Sequence, residues 1–196
     1  MIDHDVRSPV VEPVPSAGPA RRPAGGGWPD GVLGAALVVM ALVAGLNFTF
    51  AAAVMPNLAG ADDHTFVATM QRFNENPVFP LSFTAALVLT ALAALLQLGH
   101  GSRAARRWTV AALGLYGVVL ALTAAVNIPL NDRIDRAGDP DRISDLAHVR
   151  SQLEGPWVAS NIVRTLVCTA AVAALGRALL LRGRGTDVSR PEWPLG

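Results

Sequence analysis

Two groups of polar residues stand at the edges of long apolar runs and carry the side chains best suited to chemistry. Asn127 ends one run and is followed by Asn131. Trp157, Asn161 and Arg164 open the next run at the spacing i, i+4, i+7, which puts all three on one helix face. A permanently charged guanidinium in apolar surroundings needs a carboxylate, backbone carbonyls or an anionic ligand as its partner. Because charge at membrane depth is rare, we predict a functional site around Arg164.

Pro129 separates the two asparagines and predicts an interruption of the helix. Proline lacks a backbone donor and disfavours helical geometry at the residue before it, Ile128. Carbonyl groups near Asn127 would then be free, and the two asparagine side chains could cap them. A purely structural alternative stays open for Asn127 and Asn131, because such residues at helix ends also tie loops to a bundle.

Histidine titrates near neutral pH without a special environment, so His64 is the candidate for proton transfer. It follows Asp62 and Asp63 in the sequence, and His148 belongs to a second polar segment that could approach it. The two histidines and Asp63 also form a candidate metal site. No HExxH or comparable spacing supports a metal, so we expect none.

The motifs that the sequence lacks exclude several function classes. It contains no P-loop, no GxGxxG after a strand, no GxSxG and no CxxCH. The single cysteine, Cys168, lies in an apolar run, which excludes a disulfide framework and favours a packing role. No apolar run holds a histidine for haem or the charge relay of a proton-coupled transporter. His4 and His100 lie in polar segments and are expected to be solvated.

Four apolar runs are long enough to position the polar residues in a membrane. They cover residues 31–53, 78–98, 108–127 and 158–181. A hydrocarbon core of roughly 30 Å needs about 20 helical residues, and helices satisfy their own backbone hydrogen bonds in lipid. Hydrophobic residues make up 52% of the chain. We therefore predict an all-α protein, an antiparallel bundle of four transmembrane helices.

The rest of the chain divides into two tails around this domain. Residues 1–27 are rich in Pro, Gly, Ala and Arg without apolar periodicity, which predicts a disordered tail and no signal peptide. Residues 28–182 would form the transmembrane domain, and residues 183–196 a second disordered tail.

The basic residues predict the orientation in the cell membrane. All sixteen are arginine, and Arg103, Arg106 and Arg107 lie in the loop between the second and third runs without an acid. The other two loops are acidic, and residues 128–157 hold six acids against four arginines. By the positive-inside rule both termini are cytoplasmic and the two long loops face outward. The polar residues near the membrane then converge on the outer side.

The first outer loop contains a pattern typical of a short amphipathic helix. Asp62 is a suitable N-cap residue, and Phe66, Met70 and Phe73 follow at the spacing i, i+4, i+7. We therefore predict a helix that lies over the outer mouth of the bundle.

The second outer loop predicts another short helix. Asp139-Pro140 is typical of an N-cap followed by proline at the first helical position, and Gly155-Pro156 predicts the end of that helix. One apolar face would consist of Ile143, Leu146 and Leu153.

The polar motifs resemble those of a family of small four-helix membrane proteins, the anthrone oxygenases, which was long an uncharacterised domain family. The resemblance rests on residues 127–131, Asn-Ile-Pro-Leu-Asn, followed by Trp157-x3-Asn161-x2-Arg164. Met55-Pro56 after the first run and Asn76-Pro77 after the loop helix are also similar. It covers residues 33–180, nearly everything except the tails.

The resemblance implies oxidation of an anthrone or another polycyclic or phenolic substrate by dioxygen, without an organic cofactor. His64, oriented by an aspartate, would be the base, and Arg164 with Asn161 and Asn127 would stabilise the oxyanion. The partners are the lipid bilayer and an apolar aromatic molecule that enters from the lipid; nucleic acid is not expected, and a homo-oligomer stays open. The residues predicted to contact substrate are Asn47, Trp157, Asn131, Phe66 and Met70.

Two alternatives compete with this interpretation. The protein could be a non-enzymatic binder of small ligands or an assembly partner, with Arg164 pinning the outer loops through an acid. It could also be a metal-dependent oxygenase that uses the candidate metal site. The enzyme interpretation requires an apolar cavity that Arg164 reaches, whereas a filled bundle with Arg164 paired to a loop acid would oppose it.

Overall fold

The computed structural model describes residues 27–100 and 102–187, which form helices and connecting turns without a strand. These residues fold into seven α-helices, with π-helical segments after the first and fifth and a short 3-10 turn before the last. The α-helices are α1 (Trp28–Thr49), α2 (Met55–Ala59), α3 (Asp63–Asn74), α4 (Val78–His100), α5 (Arg103–Leu122), α6 (Ile128–Arg136) and α7 (Leu146–Asp187). The π segments are π1 (Phe50–Val54) and π2 (Thr123–Asn127), and the 3-10 turn is Pro140–Arg142.

Four helical stretches are long and apolar enough to cross a membrane, consistent with an integral membrane protein. They are Trp28–Ala59, Val78–Gly99, Arg103–Arg136 and Leu146–Gly183, and each contains one of the predicted apolar runs. Much of their surface is exposed apolar side chain, as expected for helices solvated by lipid. The predicted all-α four-helix bundle is confirmed.

The four spanning helices form a ring in which α1 and α5 each contact both α4 and α7. Leu33, Met40 and Val43 on α1 are fully buried against Tyr116 and Leu175. Small side chains fill the rest of this core and allow close helix packing: Ala36, Ala86, Ala93, Ala112, Ala171, Ala174 and Ala178.

A second core closes one end of the bundle, which we call the capped end. It is built by α2, α3, α6 and the first turns of α7. Asp62 caps α3 as predicted, accepting hydrogen bonds from the Thr65 backbone N–H (2.9 Å) and hydroxyl (2.8 Å). These bonds hold the pKa of the Asp62 carboxyl below its ordinary value of 3.8. Phe66 and Met70 on the buried face of α3 are in the second core.

Pro129 does not interrupt its helix, so that prediction was wrong. Ile128 has helical dihedrals (φ −60°, ψ −50°), and its backbone N–H donates to the carbonyl of Thr123, five residues back. The wider π turn replaces the α-helical bonding that a proline ring would obstruct. Pro56 follows π1 in the same way, two residues after the segment ends.

The predicted short helix of the second loop is also corrected. After Asp139 only the 3-10 turn forms, and α7 begins at Leu146 and continues through Gly155-Pro156. Leu153 and Trp157, on either side of that dipeptide, are both buried in the second core. Packing on both sides therefore holds the helix across a position that local preference would break.

The predicted tails fall almost wholly outside the described residues. Residues 1–26 and 188–196 are not described, and with them His4. Residue 27 is the N-cap of α1. Residues 183–187 continue α7, so the helix extends past the boundary predicted at residue 183. His100 is the last residue of α4.

Candidate functional site

A cavity of about 520 Å³ lies beneath α3, where the two cores meet, and is partly open. Its walls come from α1, π1, α3, α4, α5, π2, α6 and α7, and they are mainly apolar. The aromatic lining residues are Phe50, Phe73, Phe79, Phe83 and Trp157. The polar lining residues are Asn47, Asn74, Thr84, Thr123, Asn127, Asn131, Asn161 and Arg164.

Arg164 is the charged residue of this lining and is only 6% exposed. Its Nη2 donates to the Asn161 side-chain oxygen (2.9 Å) and its Nη1 to the Thr123 hydroxyl (3.3 Å). The guanidinium also lies 5.8 Å from the Trp157 ring and 6.0 Å from the Phe83 ring. None of the acids in the described chain forms an ion pair with Arg164, and its buried Nε has no partner. Nε is therefore the one guanidinium nitrogen without a hydrogen-bond partner.

The side chain of Asn161 is held from both sides. Its Nδ2 donates to the backbone carbonyl of Asn47 (2.9 Å), which turns its oxygen towards Arg164. The side chain of Asn47 donates in turn to the sulfur of Cys168 (3.7 Å). Asn161 is thus a rigid support that orients the guanidinium from α1 and α7 together.

Asn127 supplies a second unpaired donor. It is 2% exposed, and its side-chain oxygen accepts from the Ser160 hydroxyl at 2.8 Å. Its Nδ2 is buried without a partner, and Asn127 is one of the residues that line the cavity. Leaving a buried donor unsatisfied costs about 1–3 kcal/mol. Two residues of one mainly apolar cavity, Arg164 and Asn127, therefore each have a buried nitrogen without a partner.

Asn131 lies one turn beyond Asn127 and connects the cavity wall to the capped end. Its side-chain oxygen accepts from the Trp157 indole N–H (3.0 Å), and its carbonyl accepts from Asn74 Nδ2 (3.3 Å). Asn131 therefore holds the Trp157 ring in place at the cavity wall rather than offering its own oxygen to a ligand.

The structure does not bring His64 to this cavity. Its Nε2 lies 2.8 Å from Asp141 Oδ1, and both side chains are largely exposed (47% and 82%). Phe66 also lies outside the lining, because it is fully buried in the second core with the Arg150 guanidinium 4.8 Å from its ring. Met70, on the same helix, does line the cavity.

The three residues of the candidate metal site have separate partners. His64 contacts Asp141, Asp63 pairs with Arg150 (3.1 Å), and His148 Nε2 contacts Gln152 (2.9 Å). Across residues 27–100 and 102–187, no group of three or more His, Cys, Asp or Glu side chains could hold a metal ion. In the part of the chain that the structure describes, the three candidate residues therefore do not form a metal site.

Sequence reasoning missed the hydroxyls and most of the phenylalanines of the site. The Ser160 hydroxyl orients Asn127, and the Thr123 hydroxyl orients Arg164. The sequence offered a signal for both, because Ser160 directly precedes Asn161 and Thr123 lies four residues before Asn127. Phe79 and Phe83 are four residues apart on α4, a spacing that puts both rings on one face. The rings of Phe50 and Trp157 lie 5.5 Å apart and close the cavity near α3.

Hydrogen bonds from α3 to α6, and to Gly138 just past the end of α6, close the mouth of the cavity. Gln71 Nε2 donates to the carbonyls of Ile134 and Gly138, both at 2.9 Å. Asn74 Nδ2 contacts the Asn131 carbonyl and Asp135 Oδ1 (3.1 Å). These bonds fix α3 as a cover across the capped end.

Fold and site together define a class, namely a helical membrane bundle with a covered, aromatic-lined cavity containing an arginine without an acid partner. The sequence model of the anthrone oxygenase family matches residues 68–174. The chain belongs to that family, which confirms the resemblance. The matched region contains every lining residue except Asn47 and Phe50. No curated protein and no solved structure matches the chain.

Proposed function

We propose that this protein is a membrane oxygenase that oxidises a polycyclic or phenolic carbon acid with dioxygen. The observation that carries the proposal is that Arg164 and Asn127, which line a mainly apolar cavity, each have a buried nitrogen without a partner, Nε and Nδ2 respectively. The flat aromatic walls suit a ring system. The donors suit the oxygen of a ketone whose enolate carries negative charge.

The reaction in this proposal converts a ring methylene into a carbonyl. Loss of a proton gives an enolate, whose oxygen is received by Arg164 and Asn127. The electron-rich carbon reduces dioxygen and forms a carbon–oxygen bond, giving a hydroperoxide after protonation. Cleavage of the oxygen–oxygen bond with loss of the remaining hydrogen on that carbon yields the carbonyl and water. Dioxygen is the co-substrate, and the scheme needs no organic cofactor.

Proton removal in this scheme is assigned to water rather than to His64. The lining residues include no imidazole and no carboxylate. The two donors raise the acidity of a bound carbon acid because they stabilise its anion more than its neutral form. A solvent base is then sufficient for a substrate that is already acidic.

The test is oxygen uptake by purified protein in lipid nanodiscs with a panel of anthrones. We expect Arg164→Met and Asn127→Leu each to reduce the rate by about a hundredfold, the usual effect of removing one oxyanion donor. His64→Ala should keep the wild-type rate. Arg177→Met, an exposed arginine on the same helix, is the matched control. A wild-type rate in both Arg164→Met and Asn127→Leu would overturn the site assignment.

A second candidate function is non-catalytic binding of the same class of ligand, favoured by the absence of an imidazole or carboxylate from the described lining, since either could act as a general base. Ligand binding without oxygen uptake across the panel would support it. The related hypothesis, in which Arg164 holds the loops in place through an ion pair with an acid, lacks support. Arg150 instead forms such ion pairs, with Asp63 and Glu154. For the metal-dependent alternative, the test is elemental analysis of wild-type and His64→Ala protein.

The proposed orientation places the capped end outside the cell and both termini in the cytoplasm. It rests on Arg103, Arg106 and Arg107 in the first turns of α5, at the opposite end of the bundle from α3. Cysteine-accessibility labelling from each side of a sealed vesicle, at residues 104 and 137, would check it.

A further inference from the structure

We infer that ligands enter the cavity sideways, from the hydrocarbon layer, through a gap between α4 and the π2 region. We call this gap the lateral portal and define it by Thr84 and Leu87 on one side and Ala124 and Ile128 on the other. All four residues line the cavity and are also exposed on the outside of the bundle. The inference holds whether the ligand is oxidised or only bound, so it goes beyond the proposed function.

The exposed rim marks where the cavity wall is incomplete. Leu87 is 36% exposed and Ile128 49% exposed, although each has part of its surface in the cavity. Both belong to helical stretches that can cross a membrane. Their exposed faces are therefore covered by lipid in a bilayer, and the gap between them opens into lipid rather than water.

The other route, through the capped end, is closed. Gln71 and Asn74 make three hydrogen bonds from α3 to α6 and one to the Gly138 carbonyl, just past the end of α6. Beneath them, the Phe50 ring packs against Phe73 (4.9 Å between centroids) and Phe79 (5.6 Å). Opening this route would break these contacts together, whereas the lateral route needs only side-chain rotations.

The arrangement behind the portal indicates the chemistry of what enters. The rim is apolar apart from the Thr84 hydroxyl, whereas the unpaired Arg164 Nε lies on α7, the helix diagonally across the ring from α4. A flat lipophilic ring molecule with oxygen on one edge could pass the rim and place that edge on Arg164 and Asn127. The bilayer would concentrate such a molecule beside the portal.

The experiment follows association of a probe that needs no oxidation, 1,8-dihydroxyanthraquinone, with protein in proteoliposomes by stopped-flow quenching of tryptophan fluorescence. Ala124→Phe narrows the portal, and Ala125→Phe is the matched control because Ala125 is exposed but does not line the cavity. We expect Ala124→Phe to slow association and dissociation by about tenfold each, and Ala125→Phe to match wild type. If the probe enters from the bilayer, its association rate depends on its concentration in the lipid. Adding lipid at a constant total amount of probe dilutes the probe in the bilayer and should lower the association rate in proportion.

Two results would overturn the inference. One is equal association rates for Ala124→Phe and Ala125→Phe in protein with wild-type unfolding temperature. The other is a pair of results: Gln71→Ala with Asn74→Ala, which loosens α3, speeds association of the probe, and Ala124→Phe leaves the association rate unchanged. Together they would indicate entry from water through the capped end. Ala124→Val is the substitute if the phenylalanine variant does not fold, with a smaller slowing expected in the same direction. Because the probe is already an anthraquinone, failure of the proposed oxidation leaves this test unaffected.

Discussion

Removing the Ser160 hydroxyl tests whether the Asn127 amide is aimed at a ligand. The hydroxyl donates to the amide oxygen at 2.8 Å, and both side chains are buried. Because Asn127 lines the cavity and its Nδ2 has no partner, we expect this bond to hold the amide with Nδ2 available to a ligand. In Ser160→Ala the amide loses that restraint and can turn its oxygen to the cavity instead.

The expected size of the Ser160→Ala effect follows from the loss of one hydrogen bond in the ligand-free protein and one in the ligand-bound protein. Without ligand, loss of the bond costs about 1 kcal/mol of folding stability. With ligand, an acceptor oxygen faces an amide that no longer presents its donor, which costs about a further 1–1.5 kcal/mol. That corresponds to a Kd raised roughly five- to tenfold. Ser160→Thr retains the hydroxyl and should restore the wild-type Kd.

The assay compares two ligands of similar ring size in nanodiscs, 1,8-dihydroxyanthraquinone and anthracene, which has no oxygen. Ser160→Ala should weaken binding of the first and leave binding of the second unchanged, because anthracene accepts nothing from Asn127. A purely structural role would weaken both equally. Unchanged binding of the hydroxyanthraquinone in Ser160→Ala, despite a lower unfolding temperature, would refute the orienting role.

Three further predictions concern other parts of the molecule. Arg150→Ala should lower the free energy of unfolding by about 3 kcal/mol, measured by thermal unfolding, because two acids and three carbonyls lose their donor; an unchanged midpoint would contradict the role. The Asp62 carboxylate, whose pKa is lowered mainly by the Thr65 backbone N–H, should stabilise α3 at pH values above 3.8 and lose that effect as the pH falls through its folded value. The difference in unfolding temperature between wild type and Asp62→Ala should therefore vanish in acid, and a constant difference would count against it. Asn161→Asp gives Arg164 an acid partner and should weaken binding of the hydroxyanthraquinone by about tenfold or more, whereas unchanged binding would show that an acid-free arginine is not required.

The spanning helices and the cover helix could be predicted because their signals are local. An apolar run of about 20 residues is long enough to cross a membrane as a helix, and a helix satisfies its own backbone hydrogen bonds in lipid. On α3 the N-cap and the spacing of Phe66, Met70 and Phe73 are contained within one short segment. The same spacing could have located His64, which lies two residues from Phe66 and therefore on a different helix face. The acid–base chemistry of His64 does not indicate which way its side chain points.

The course of the chain past its prolines could not be predicted from local preference. Pro129 and Pro156 both predict helix boundaries, and both lie inside continuous helix. In one case a π turn precedes the proline, and in the other buried side chains on either side hold the helix. The unpaired state of Arg164 and Asn127 was equally hidden, because it depends on which acids the fold keeps away from the cavity.

The π2 segment has a consequence for how insertions and deletions act on this protein. A π turn contains one residue more than the α-helical turn it replaces. Deleting Ala125, which is exposed and does not line the cavity, would let the helix revert to α geometry. Because the extra residue is taken up within that single turn, everything beyond would keep its direction relative to α5. Thr123 and Asn127 would both stay in the cavity wall, so the deletion should be tolerated. The loss of one residue from the regular part of α5 should instead abolish the site, because it would rotate everything beyond by about 100°.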